Sequence, residues 1–126
     1  MTTAADMIER LRVKYSTDKG EWATFAEISA PGEKHGVKAD RRIDFLALRL
    51  WGRSTLVAVE VKVSRADWLA ELADPDKREY FERRANAFWI AAAKGVVEVE
   101  ELPDGVGLFV THGSRLRIVR AARYYR

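Results

Sequence analysis

Two charged residues, Glu60 and Lys62, stand two positions apart in the otherwise apolar run Leu56-Val57-Ala58-Val59-Glu60-Val61-Lys62-Val63. Valine at every second position from Val57 to Val63 reads as a β-strand with one face turned to a core. Alternation then puts Ala58, Glu60, Lys62 and Ser64 on the opposite face, with the carboxylate and the ammonium about 7 Å apart along the strand. Alone, the pair equally suits the wet face of an ordinary strand. A second run adds weight: Arg41-Arg42-Ile43-Asp44-Phe45-Leu46-Ala47-Leu48 places one acid at the head of an apolar stretch. If the two runs form a hairpin turning at Gly52-Arg53-Ser54, Asp44 lies at its open end, across from the neighbourhood of Lys62. Three charges would then converge at one edge of an apolar sheet, which is costly unless something balances them.

A divalent cation is the natural balance. Mg²⁺ takes hard oxygen ligands and keeps several waters, so two or three carboxylates suffice to hold it. Such an ion activates water and offsets charge building on a phosphodiester. Lys62 would hold the attacking water or stabilise the transition state. A third acid has several candidates. Glu27, in Phe25-Ala26-Glu27-Ile28, precedes the Arg-Arg-x-Asp segment; Glu9 lies on a first helix; Glu21 sits near a turn. Each also reads as a solvated surface acid.

The elements that must position these groups follow from pattern. Thr3 and Asp6 have capping-box spacing, and Ile8, Leu11 and Tyr15 continue at helical spacing, so a helix is predicted from Ala4 to about Ser16. Asp18-Lys19-Gly20 ends it. Strands are predicted over Trp22 to Ser29, Arg42 to Trp51 and Thr55 to Val63, with Ala30 to Asp40 as a mobile loop because of Pro31, Gly32 and Gly36. Ser64 opens a helix as its N-cap, with Asp67 three residues on and an apolar stripe of Trp68, Leu69 and Leu72. Asp74-Pro75 restarts a helix through about Arg84. Phe88 to Ala92, Val106 to Thr111 and Leu116 to Ala121 complete the strands. The fold class is α/β, a central mixed sheet flanked by helices in one domain over 1–126.

Composition excludes several alternatives. An apolar share of 48% is globular, and the absence of cysteine removes thiolate metal sites and disulfides. With only His35 and His112 there is no zinc-ligand spacing, and neither a P-loop nor a dinucleotide fingerprint is present. No signal peptide and no apolar segment long enough to cross a bilayer is read, so a cytoplasmic protein without a membrane role is expected. The net charge of +3 is mild, yet Arg115, Arg117, Arg120, Arg123 and Arg126 crowd the last twelve residues beside Tyr124 and Tyr125. Arginine interleaved with aromatics suits phosphates and stacked bases, or a solvated final strand. The four tryptophans read as core.

Asp44 followed by Glu60-Val61-Lys62 resembles the D…(D/E)xK signature of the PD-(D/E)xK nuclease superfamily. The order Arg41-Arg42-Ile43-Asp44, Glu60-Val61-Lys62-Val63-Ser64, Asp67-Trp68, Asp76-Lys77 with Tyr80, Phe88-Trp89-Ile90-Ala91, and Leu102-Pro103 with Gly107-Leu108 is similar to the MmcB-like DNA-repair proteins and their phage-borne relatives. Ala85-Asn86-Ala87 departs from the Cys-Asp pair of many relatives. The resemblance implies a restriction-endonuclease-like core and a DNA-cleaving enzyme dependent on Mg²⁺ or Mn²⁺. Asp44, Glu60 and Glu27 would be its metal ligands, and Lys62 would complete the catalytic set. Arg41, Arg42, Ser64, Lys77, Arg115 and Arg117 are the candidates for contact with DNA. A non-cleaving DNA-binding module on the same fold is the alternative, and pairing of two copies is left open.

Overall fold

The computed structural model describes residues 2–16, 20–34 and 37–126, with the side chains of 30–34, 37–41 and 77 outside the description. Helix α1 (Ala4–Lys14) begins at a capping box in which Thr3 and Asp6 satisfy each other's backbone N–H groups. It is followed by β1 (Trp22–Lys34), β2 (Val37–Arg49) and β3 (Thr55–Lys62), then α2 (Arg65–Ala73) and α3 (Pro75–Arg84). The chain closes with β4 (Ala87–Ala92), a short 3₁₀ turn (Val99–Glu101), β5 (Gly107–His112) and β6 (Arg115–Arg120). Among the described residues no helix is long and apolar enough to cross a membrane.

One six-stranded sheet runs in the order β1-β2-β3-β4-β5-β6. β1, β2 and β3 form an antiparallel meander, β3, β4 and β5 are parallel, and β6 turns back antiparallel on β5. The α2–α3 pair is the crossover between β3 and β4, long enough to carry the chain back for a parallel strand. Alternation divides the core as the valine pattern of β3 requires. Val57 and Val59 join Met7, Leu11 and Tyr15 of the α1 side, while Ala58 joins Trp68, Phe81 and Ile90 on the α2–α3 side.

The Ala30 to Asp40 segment is not the loop that Pro31 and Gly32 suggested. β1 and β2 continue as a ladder through Pro31↔Asp40 to Lys34↔Val37; His35 and Gly36 lie outside the described residues. Proline is compatible with this strand because β1 is a sheet edge, where one row of N–H groups needs no ladder partner. Trp51, read as core, is instead 68% exposed in the β2–β3 turn, and Leu69 of the predicted stripe is 48% exposed. Short polar spacing around a tryptophan does not reveal that it sits on a turn rather than beneath one.

Gly107 explains part of the close β4–β5 packing. A Cβ at this position would stand 2.4 Å from Trp89 Cε3 and 2.7 Å from the Ala122 backbone nitrogen. Trp89 cannot retreat easily, because its ring is stacked on Phe109 at 3.9 Å between centroids. Gly107→Ala is therefore expected to lower stability by about 3 kcal/mol, the upper end for overpacking. Urea unfolding of the variant beside the parent measures it.

Candidate functional site

The ladder between β2 and β3 pairs Arg49↔Thr55 through Phe45↔Val59 and then stops. At the next step Asp44 leaves the ladder, and its Oδ2 accepts a hydrogen bond from the Val61 N–H at 2.7 Å. On the other side of β2 the same position is a gap. Ala26↔Phe45 and Ile28↔Ile43 pair in one register, leaving Glu27 and Asp44 facing each other between them. Glu27 takes φ 55°, the left-handed region, and is the one described non-glycine residue to do so. That conformation costs roughly 1–2 kcal/mol in a residue with a Cβ. The kink also changes the pleat: Phe45 packs on the α1 side, yet Ile43, two residues away, packs on the α2–α3 side. The sheet is thus interrupted at Asp44, and the carboxylate takes the place of a ladder carbonyl.

The hairpin register differs from the sequence expectation by two residues. Five residues, 50–54, join the paired ends, and the turn centres on Gly52 at φ 71° rather than on Arg53. Continued by one step, the register sets Asp44 beside Glu60 instead of Lys62. The three groups nevertheless open into one cleft of about 400 Å³, lined also by Asp67, Glu71 and Asp74. β3 supplies the floor at its C-terminal end, and α2 with its junction to α3 supplies the wall. Five carboxylates and one ammonium line this space.

Two of the lining groups are deeply buried. Glu60 is 6% exposed and Lys62 7%, so the polar face of β3 is covered by α2 rather than wet. Lys62 Nζ lies 2.9 Å from Glu71 Oε1 and 3.8 Å from Glu60 Oε2. Behind it, Arg78 Nη1 lies 3.7 Å from Glu71 Oε2, while Arg78 Nε donates to Glu82 Oε1 at 2.8 Å. Glu71 and Arg78 escaped sequence reasoning. The available signal for Glu71 was its place three residues after Trp68 on α2, the inward position that Leu69 was expected to share.

α2 is fixed at its start by caps and by one carboxylate. The Ser64 hydroxyl accepts from the Asp67 N–H at 3.2 Å, as its cap role required, but the reciprocal half of a capping box is not formed. Asp74 makes no side-chain cap bond to α3, although Pro75 does occupy the first turn. Both acids face the cleft instead. Arg65 donates twice to Glu101 at 2.6 Å, and the buried Trp68 Nε1–H donates to the same carboxylate at 3.2 Å. The Arg65 hydrogen bonds, with help from the Glu98 N–H, hold the Glu101 carboxyl down at about 2.

The remaining candidates are dispersed. Glu27 is exposed and does not line the cleft, though its position lies opposite Asp44 in the β1–β2 register. Glu9 pairs with Arg12 on the surface of α1 at 2.5 Å. Arg42 is exposed on β2, and the side chains of Arg41 and Lys77 lie outside the described residues. Arg115 and Arg117 are exposed on β6, where Arg115 borders a separate hollow of about 250 Å³ with Arg10 and Lys14. Of the other C-terminal arginines, Arg120 is structural, donating to the Pro103 and Val106 carbonyls, and Arg123 pairs with Asp104. Asn86, in the segment that departs from the resemblance, is a clamp: its Oδ1 accepts from the Leu56 N–H and its Nδ2 donates to the Tyr125 carbonyl.

Known proteins add the fold. No family model matches this sequence, and no curated protein matches it. Among solved structures, the SPO1766 protein of unknown function from Silicibacter pomeroyi aligns over 100% of this chain and 75% of its own, with a TM-score of 0.67 and 21% identity. SSO0001 aligns over 94% of this chain and 51% of its own at TM-score 0.41 and 14% identity. The fold is shared with a protein of unknown function.

The chemistry of the donor set can be tested against a hard cation. Asp44 gives one oxygen to the Val61 N–H and keeps a second, and Glu60 opens into the same space. Among the described residues no three acids or histidines stand together as a metal group. Two carboxylates and water would suffice for Mg²⁺, which rarely has an all-protein cage, whereas an ion needing a closed shell would lack donors here.

Proposed function

We propose that the protein is a nuclease of the PD-(D/E)xK type that hydrolyses phosphodiester bonds in DNA with Mg²⁺ or Mn²⁺, in repair, recombination or phage DNA processing in a prokaryotic cytoplasm. One observation carries the reading: Asp44 of β2 and Glu60 and Lys62 of β3 open into a single acidic cleft beside the end of β3. An ordinary solvated strand face would leave Glu60 and Lys62 in water, whereas here both are buried.

Asp44 and Glu60 would hold the ion, with Asp44 kept in place by its hydrogen bond from Val61. When bound, the ion supplies Lewis-acid activation of water and offsets charge on the phosphate. Lys62 orients its ammonium toward a non-bridging phosphate oxygen or the attacking water, stabilising charge that grows in the transition state. Attack of water on phosphorus breaks one bridging P–O bond and leaves a phosphate monoester and an alcohol. The exposed Arg42, Arg115 and Arg117, with Arg41 and Lys77, are assigned to the DNA backbone, and such contacts weaken steeply with salt. Glu27 is retained as a further acid of the site, because its position lies opposite Asp44 in the β1–β2 register and its backbone is strained there.

The alternative reading is a DNA-binding module on the same fold that does not cut. A panel of single-stranded, duplex and branched DNA, incubated with Mg²⁺, Mn²⁺ or Ca²⁺, separates the two. Cleavage in Mg²⁺ or Mn²⁺ and none in EDTA is the expected result. Binding that survives EDTA, with every substrate intact in Mn²⁺, overturns the nuclease.

A further inference from the structure

The cleft holds a buried carboxylate that the proposed chemistry leaves unused. Glu71 is 3% exposed, the most deeply buried charged residue among those described. Its oxygens contact Lys62 at 2.9 Å and Arg78 at 3.7 Å, yet neither oxygen accepts a well-formed hydrogen bond. The contacts are therefore ion pairs, held by charge more than by alignment. A chain of alternating charges results, running from Glu60 through Lys62, Glu71 and Arg78 to Glu82. As a device for stability this is a poor choice, since well-packed apolar residues at such sites do as well or better than a buried ion pair.

As a device for placing one ammonium it is effective. Lysine carries a point charge on a flexible four-carbon stem, and freezing it is entropically unfavourable. Glu60 at 3.8 Å is too distant to fix Nζ alone; Glu71 at 2.9 Å holds it. Left to Glu60, the ammonium would also settle on the carboxylate assigned to the cation. Arg78, itself gripped by Glu82 at 2.8 Å, keeps Glu71 from turning away.

Resting on the nuclease reading of Lys62, we propose that Glu71 is a positioning residue: it draws the Lys62 ammonium off Glu60 and aims it at the scissile phosphate, with Arg78 as its anchor. Glu71 touches neither phosphate nor metal and acts only through Lys62.

The test compares the parent, Glu71→Gln and Arg78→Gln at saturating Mn²⁺. Glu71→Gln is expected to lower kcat by about 10- to 100-fold, in the range of one well-placed electrostatic group, with KM within twofold. In a Lys62→Gln background the same change should lower kcat no further, because the residue it positions is gone. A general loss of folding would move both backgrounds alike. Arg78→Gln, expected to reduce kcat less, serves if Glu71→Gln does not fold. Unchanged kcat in a folded Glu71→Gln protein overturns the proposal, as does an equal loss in both backgrounds. A separate readout needs no activity: the ¹⁵N resonance of the Lys62 ammonium should be sharp and slow to exchange in the parent and broadened in Glu71→Gln. A parent that cuts nothing overturns the nuclease reading and the catalytic role with it. The resonance then still decides whether Glu71 holds Lys62.

Discussion

Asp44→Asn is expected to reduce metal-dependent DNA cleavage by about 10³-fold or more, a loss of about 4 kcal/mol in transition-state stabilisation. The reasoning rests on how little else the change disturbs. The amide oxygen of asparagine can still accept the Val61 N–H that Asp44 Oδ2 accepts at 2.7 Å. Only the negative charge is lost, and with it one of the two donors assigned to the cation. Thermal unfolding should move little, since Asp44 is half-buried rather than enclosed. Lys62→Ala should also lower cleavage steeply, to a residual rate, but is a less clean probe. Removing an ammonium that lies between Glu60 and Glu71 leaves buried carboxylates uncompensated, and breaking such a pair costs about 3–5 kcal/mol. Activity of both proteins is read on the substrate the parent cuts best. Parent-like rates from a folded Asp44→Asn protein would remove Asp44 from the site.

A large expected effect on stability, free of any part in the proposed chemistry, belongs to Trp68. It is fully buried against the α2–α3 side of the sheet, and its Nε1–H donates to Glu101 at 3.2 Å. Trp68→Ala should lower stability by about 3–5 kcal/mol, through lost burial and the cavity left behind. Against a total of about 5–15 kcal/mol for an ordinary domain, that is a large share. Trp68→Phe keeps most of the apolar surface and loses the hydrogen bond, so about 1 kcal/mol is expected. Urea unfolding of the two variants separates packing from the bond. Equal losses would mean that the contact with Glu101, not the ring, holds α2 to the sheet.

The sequence made much of this arrangement legible, and the reason is local. The valines of β3 fix its two faces, the Thr3–Asp6 pair and Ser64 mark helix starts, and Pro75 marks a restart; each is a short-range rule. The same alternation placed Glu60 and Lys62 together, and the structure agrees. What escaped depended on partners distant in the chain. Pro31 and Gly32 carry turn chemistry, yet an edge strand tolerates them, so β1 and β2 extend where a loop was expected. The hairpin register slid by two residues because the connection centres on Gly52. Glu71 was overlooked for another reason. A glutamate on a helix reads as solvated until a lysine and an arginine from other elements are seen to close around it.

Mn²⁺ binding, followed by the loss of the free-ion electron paramagnetic resonance signal, tests directly whether Asp44 and Glu60 share a cation. The parent should take up Mn²⁺ and Asp44→Asn should bind it at least tenfold more weakly, with Mg²⁺ competing for the same place. Equal uptake by the two proteins, or none by the parent, would contradict a metal site in this cleft.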